Sequence, residues 1–96
     1  MRMSIYRQGD VLFVSRNGIP DGFKVSEDAI LVRGEATGHA HRAQQLQVFR
    51  NAQDQMYVQG NGQIVHEEHG PLELEGTFEV IRQREYNPIT NRMVQD

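Results

Sequence analysis

Apolar residues in this chain fall in short runs of strand length, separated by turns rich in glycine. Val11-Leu12-Phe13-Val14 is a β-rich run, bounded by Gly9-Asp10 before it and by Asn17-Gly18-Ile19-Pro20-Asp21-Gly22 after it. Ala29-Ile30-Leu31-Val32 is a second run, and it ends at Gly34. Leu46, Val48 and Arg50 alternate with Gln47 and Phe49, which predicts a third strand. Met56-Tyr57-Val58-Gln59 and Gln63-Ile64-Val65-His66 flank Gly60-Asn61-Gly62 and predict a hairpin with a glycine turn. Pro71-Leu72-Glu73-Leu74 alternates, Glu75-Gly76 predicts a turn, and Thr77-Phe78-Glu79-Val80-Ile81-Arg82 predicts the returning strand. No window carries an apolar stripe at helical spacing for three turns. The pattern predicts an all-β fold, a small compact β-barrel or sandwich of about six to eight short strands. Residues 1–86 are expected to form one domain and residues 87–96 a loose C-terminal tail.

Length and composition narrow the class. Ninety-six residues make one core, and so short a chain gains from a closed barrel, a bound metal or self-association. Hydrophobic residues are 38% and charged residues 24%, which suits a globular chain. The net charge of −3 and the lack of any Lys/Arg block argue against a nucleic-acid partner of the basic-patch kind. There is no cysteine, which excludes disulfides and thiolate ligands, so a metal would be held by His, carboxylate or water. The N-terminal residues lack the apolar core of a signal peptide, and no run is long enough to span a bilayer. A cytoplasmic, self-associating protein without membrane contact is the expectation; a protein partner cannot be named.

The chemistry lies in the histidines. All four fall in two clusters, Gly38-His39-Ala40-His41 and His66-Glu67-Glu68-His69. On a strand His39 and His41 project from one face, with Thr37 beside them, and same-face imidazoles converge on one ion. His66 and His69, three apart, would lie on opposite faces of a straight strand, but Gly70-Pro71 permits a kink that turns His69 round. His39, His41, His66 and His69 are therefore the candidate ligands of a divalent metal, with Glu68 as an alternative fourth ligand. Nitrogen and oxygen donors admit Zn²⁺, Ni²⁺, Mn²⁺ or Fe²⁺. If the site is catalytic, the expected chemistry is hydrolysis by metal-bound water, with Glu68 as the candidate base. For Glu67 a solvated strand end is the simpler expectation, beside a role orienting a ligand imidazole.

Two other classes fit the same residues. One is a metal-free phosphoesterase or RNase, with histidines as acid and base and Arg82 or Arg84 holding phosphate. The other is a non-catalytic assembly module whose histidines pair at an interface. Period-2 alternation places Phe78, Val80, Arg82, Arg84 and Tyr86 on one face, where the arginines could bind an anion or pair with Glu67 or Glu68; a charged edge strand is the plainer alternative. Gln8-Gly9-Asp10 reads as a turn into a strand.

Several blocks carry a resemblance: Gln8-Gly9-Asp10-Val11-Leu12, Gly34-Glu35-Ala36-Thr37-Gly38-His39-Ala40-His41, His66-Glu67-Glu68-His69-Gly70-Pro71-Leu72-Glu73-Leu74, and Gln83-Arg84-Glu85-Tyr86 with Val94-Gln95-Asp96. They resemble a group of short, uncharacterised proteins of bacterial and phage genomes, across nearly the whole chain. The resemblance implies no activity; it implies that the histidine blocks belong together with the Gln83–Tyr86 block, and a phage or prophage origin for the assembly-module alternative. The cupin barrel is similar in presenting His-x-His after a glycine. However, Gln45 or Leu46 stands where a cupin has its glutamate, and the Pro-x-Gly before the later histidine is missing.

Overall fold

Gly9 takes φ 62°, a left-handed conformation that glycine reaches without steric cost, and with Asp10 it forms a two-residue turn. That turn joins β1 (Ile5–Gln8) to β2 (Val11–Ser15) in register Gln8↔Val11 through Ile5↔Val14. The computed structural model describes residues 4–33 and 39–82 of the chain. The remaining described strands are β3 (Lys24–Ser26), β4 (Ile30–Arg33), β5 (Ala40–Arg50), β6 (Met56–Val65) and β7 (Leu72–Arg82). They form one antiparallel sheet in the order β1-β2-β7-β6-β5-β3, with β4 also pairing β5. No helix occurs among the described residues, so none is long and apolar enough to cross a membrane.

The all-β expectation holds, but two of its turns do not exist. Gly60-Asn61-Gly62 lies inside β6, which runs unbroken from Met56 to Val65, and Gly76 lies inside β7. These glycines serve bends rather than reversals. Gly60 and Gly76 face each other across the ladder, with φ 137° and 129°. On the other side of β6, pairing steps from Gln44↔Gln63 to Leu46↔Gly60, so Gln45 alone opposes Asn61 and Gly62. Gln45 itself takes φ 63°. A side chain at residue 62 would run into the carbonyl oxygen of Gln44. In isolation Gly-Asn-Gly reads as a hairpin because a turn and a bulge need the same backbone freedom.

One face of the curled sheet forms the core. Val11, Phe13, Val48, Val58, Ile64, Leu74, Phe78 and Val80 pack there with Leu31, Val32 and Ala43. Cross-strand pairs place Phe13 opposite Val80 and Val58 opposite Phe78, and Tyr6 meets the Phe78 ring edge-on at 5.7 Å. The sheet is not closed into a barrel: β1 pairs with β2 alone, and β3 and β4 share the outer edge of β5. Curling nonetheless carries the end of β1 to the end of β6, where Gln8 reaches the Ile64 carbonyl. That approach builds the site.

Candidate functional site

Gln8 is the last residue of β1, and the sheet buries it to 4% exposure. A buried carboxamide must satisfy two donors and an oxygen. Its Nε2 donates to the carbonyls of Ile64 at 2.9 Å and Gly70 at 2.8 Å. The Oε1 is thereby turned toward Nδ1 of His41, at 2.8 Å. Since Oε1 can only accept, Nδ1 carries the proton and donates it, and Nε2 of His41 keeps its lone pair. His41 is itself 4% exposed, near the start of β5 opposite Val32 of β4. Burial, reinforced by the neighbouring His66, lowers its pKa from 6.5 to about 4. It is therefore a neutral imidazole at pH 7 with one fixed, available nitrogen.

The other three imidazoles gather around it. Ring centres lie 4.4 Å apart for His41 and His66, 4.6 Å for His66 and His69, and 5.6 Å for His39 and His66. His69 stacks on His41 at 6.1 Å, its plane tilted by 15°. His66 follows β6, and its Nδ1 accepts the backbone N–H of Glu68 at 3.0 Å, so a neutral His66 carries its proton on Nε2. Glu68 Oε2 stands 3.5 Å from Nδ1 of His39, and Asp10 Oδ1 stands 3.9 Å from Nε2 of His41.

Glu67 braces the loop. Its Oε1 accepts the Ala40 N–H at 2.9 Å and its Oε2 accepts from Arg42 at 2.8 Å, which ties the loop after β6 to the start of β5. The Ala40 amide, then the Arg42 guanidinium, hold its carboxyl down at about 2. Gly9 makes room from the opposite side. A Cβ there would sit 2.8 Å from Nε2 of His69 and 3.4 Å from Cε1 of His41.

Folding thus brings His39, His41, His66 and His69 into one cluster, with Glu68 at its edge. The chain bends over residues 67–69, just ahead of Gly70-Pro71, and His69 comes round to 4.6 Å from the His66 ring. Glu67 is neither a solvated strand end nor the partner of an imidazole but a tether, and its guanidinium partner is Arg42 rather than Arg82. Arg84, Tyr86, Thr37, Gly34 and Gly38, and the tail expected over residues 87–96, lie outside the described residues. Sequence reading missed Gln8, the residue that sets the His41 tautomer, and Gly9, which clears space for the rings. The signal for Gln8 was its place, an amide at the last position before a tight turn.

Four imidazoles, two of them with opposite proton placements, and two nearby carboxylates can bind a cation or pass a proton. With Zn–N of about 2.0–2.1 Å, two rings on one tetrahedral ion have centres roughly 5 Å apart, a value between the 4.4 and 4.6 Å of the nearer pairs and the 5.6 and 6.1 Å of the others. Among the described residues no three His, Asp or Glu side chains present their donor atoms as a finished ligand set. The rings are gathered but not converged. No curated protein and no solved structure matches the chain. A family model matches residues 7–83, a span holding Gln8, Gly9 and all four histidines, and on it the chain belongs to the family described as a domain of unknown function, DUF8820.

Proposed function

We propose that the protein binds a divalent metal ion at the histidine cluster, with Nε2 of His41 as the anchoring donor. The observation that carries this reading is the bond from His41 Nδ1 to Gln8. A ligating imidazole characteristically donates its second N–H to a fixed acceptor, which holds the ring and the tautomer. Gln8 is fixed by two backbone carbonyls, so the acceptor is preorganised before any ion arrives. Asp10 would add a carboxylate beside the lone pair, and His66 and His69 would complete the set once their rings turn toward the ion. His66 must release the Glu68 N–H and turn its ring, the small local change that loading requires. Glu68, next to His39, would be the carboxylate placed to take up a proton in a hydrolytic reaction, for which a bound metal would supply Lewis acidity.

A second reading rests on one specific observation. His41 offers a lone pair at Nε2, and His66, once protonated at Nδ1 in place of its bond from the Glu68 N–H, would supply the proton; with the rings 4.4 Å apart this would be an acid and base pair without a metal. Elemental analysis of protein purified without a polyhistidine tag, followed by thermal denaturation with Zn²⁺, Ni²⁺, Mn²⁺ or Fe²⁺, separates the two. Metal binding predicts about one equivalent per chain and a raised midpoint, lost in His41→Ala. Less than about one-tenth of an equivalent, with no midpoint shift for any of the four ions, would overturn it in favour of the second reading.

A further inference from the structure

The connection from β2 to β3 runs from Arg16 to Phe23 and is held at both ends. The Arg16 N–H donates to the Thr77 carbonyl at 2.9 Å, and its guanidinium donates to Glu79 Oε1 at 2.8 Å. At the far end Phe23 meets the Tyr57 ring edge-on, with centres 4.9 Å apart. Asn17 and Gly18 lie between these anchors, exposed, in a bend. A Cβ at residue 18 would meet nothing within 4 Å, and among the described residues the Gly18 N–H has no hydrogen-bond partner. An asparagine followed by glycine is chemically labile wherever its peptide can turn. The glycine nitrogen then reaches the side-chain carbonyl carbon, and no side chain of its own obstructs it.

The same pair of residues recurs at Asn61-Gly62, inside β6. There the backbone is paired on both sides, with Glu75 and Leu74 of β7 and, across the bulge at Gln45, with β5. Ring closure would rotate the Asn61–Gly62 peptide out of the extended range and break both ladders. Gly62 also lies so close to the Gln44 carbonyl that the rotation would have to displace β5. Asn51, the third asparagine among the described residues, precedes Ala52, and its Oδ1 accepts from the Gln53 and Gln55 N–H groups. In sequence Asn17 and Asn61 are alike. The fold separates them.

We infer that Asn17 is a site of spontaneous deamidation and that the sheet protects Asn61 from the same reaction. The Gly18 nitrogen bonds to Cγ of Asn17, the Cγ–Nδ2 bond breaks, and Nδ2 leaves as ammonia with the Gly18 proton. Water then opens the cyclic imide, giving aspartate by attack at Cγ or isoaspartate by attack at the backbone carbonyl. The product carries a new carboxylate beside Arg16, which takes the net charge one unit below −3. The site is independent of the histidine cluster, and its test does not involve metal. The full chain is incubated folded in mildly alkaline buffer, and separately unfolded in guanidinium chloride at the same pH. Peptide mapping by mass spectrometry then follows the products at each asparagine. In the folded protein Asn17 should convert at least about ten-fold faster than Asn61, and unfolding should bring the two rates together. Gly18→Ala, which the open space accommodates, should slow conversion at residue 17 at least about ten-fold. An Asn17 that stays intact in the folded chain would overturn the inference. So would equal rates at the two sites in the folded chain, a difference of the same size in denaturant, or an undiminished rate in Gly18→Ala.

Discussion

Replacing Gln8 by alanine removes one side chain and three hydrogen bonds at once. Two are buried, to the Ile64 carbonyl and to His41, and the third, to Gly70, is partly so. Alanine leaves each partner in place, so the cost is that of buried groups left unpaired rather than of bonds exchanged for water. At about 1–2 kcal/mol for each buried partner and less for Gly70, the loss is about 3 kcal/mol. For a domain of this size that lowers the thermal midpoint by roughly 15 °C. Urea unfolding followed by circular dichroism measures it, with the slope of the transition as a check that the unfolded state is unchanged. Gln8→Glu separates hydrogen bonding from size. Its carboxylate still accepts from His41, but it turns an anionic oxygen toward carbonyls that need a donor, so it should destabilise at least as much at pH 7. A loss below about 1 kcal/mol for Gln8→Ala, or wild-type stability in Gln8→Glu, would refute the role of this amide in locking His41.

Other perturbations test the neighbouring parts of the account. His41 has a folded pKa near 4 against 6.5 when unfolded, so the unfolded chain binds the extra proton between these values. Its contribution is complete above pH 6.5 and is lost as pH falls toward 4, by about 3 kcal/mol, which urea midpoints across that range should show in the parent and not in His41→Gln. Glu67 adds a further loss as pH falls from 4.5 toward about 2, and Glu67→Gln should remove that limb of the acid denaturation curve. Gly62→Ala should cost more than about 3 kcal/mol or abolish folding, because the methyl group meets the Gln44 carbonyl, whereas Gly18→Ala, in open space, should be neutral within about 0.5 kcal/mol; both are read by thermal denaturation. Gly9→Ala pays for a left-handed φ and crowds His69, so a loss of about 1–2 kcal/mol should come with altered His69 and His41 resonances.

Strand content was legible because alternation and β-branched runs report directly on a half-buried sheet, as at Val11–Val14 and Thr77–Arg82. Strand length was not. Gly60, Gly62 and Gly76 look like punctuation in sequence, and what makes them bends is the partner across the ladder, Gly76 for Gly60 and the Gln44 carbonyl for Gly62. The short strands β1 and β3 carried little pattern of their own, since their exposed residues, Ile5, Tyr6 and Val25 among them, do not alternate with a buried set. The histidine cluster was legible because four scarce residues in two blocks gain meaning from being together. Gln8 was not, because its role depends on the curl that brings β1 to the Ile64 and Gly70 carbonyls, contacts 56 and 62 residues away along the chain.

Long-range proton–nitrogen correlation spectra of the imidazoles, recorded at neutral pH with and without one equivalent of Zn²⁺, read both the His41 tautomer and its response to metal. The expected spectrum shows a neutral His41 protonated at Nδ1 and bare at Nε2, with that nitrogen shifting on loading together with those of His66 and His69. A His41 that is protonated at Nε2 or cationic, or one whose nitrogens ignore the added ion, would contradict the anchoring role proposed for this ring.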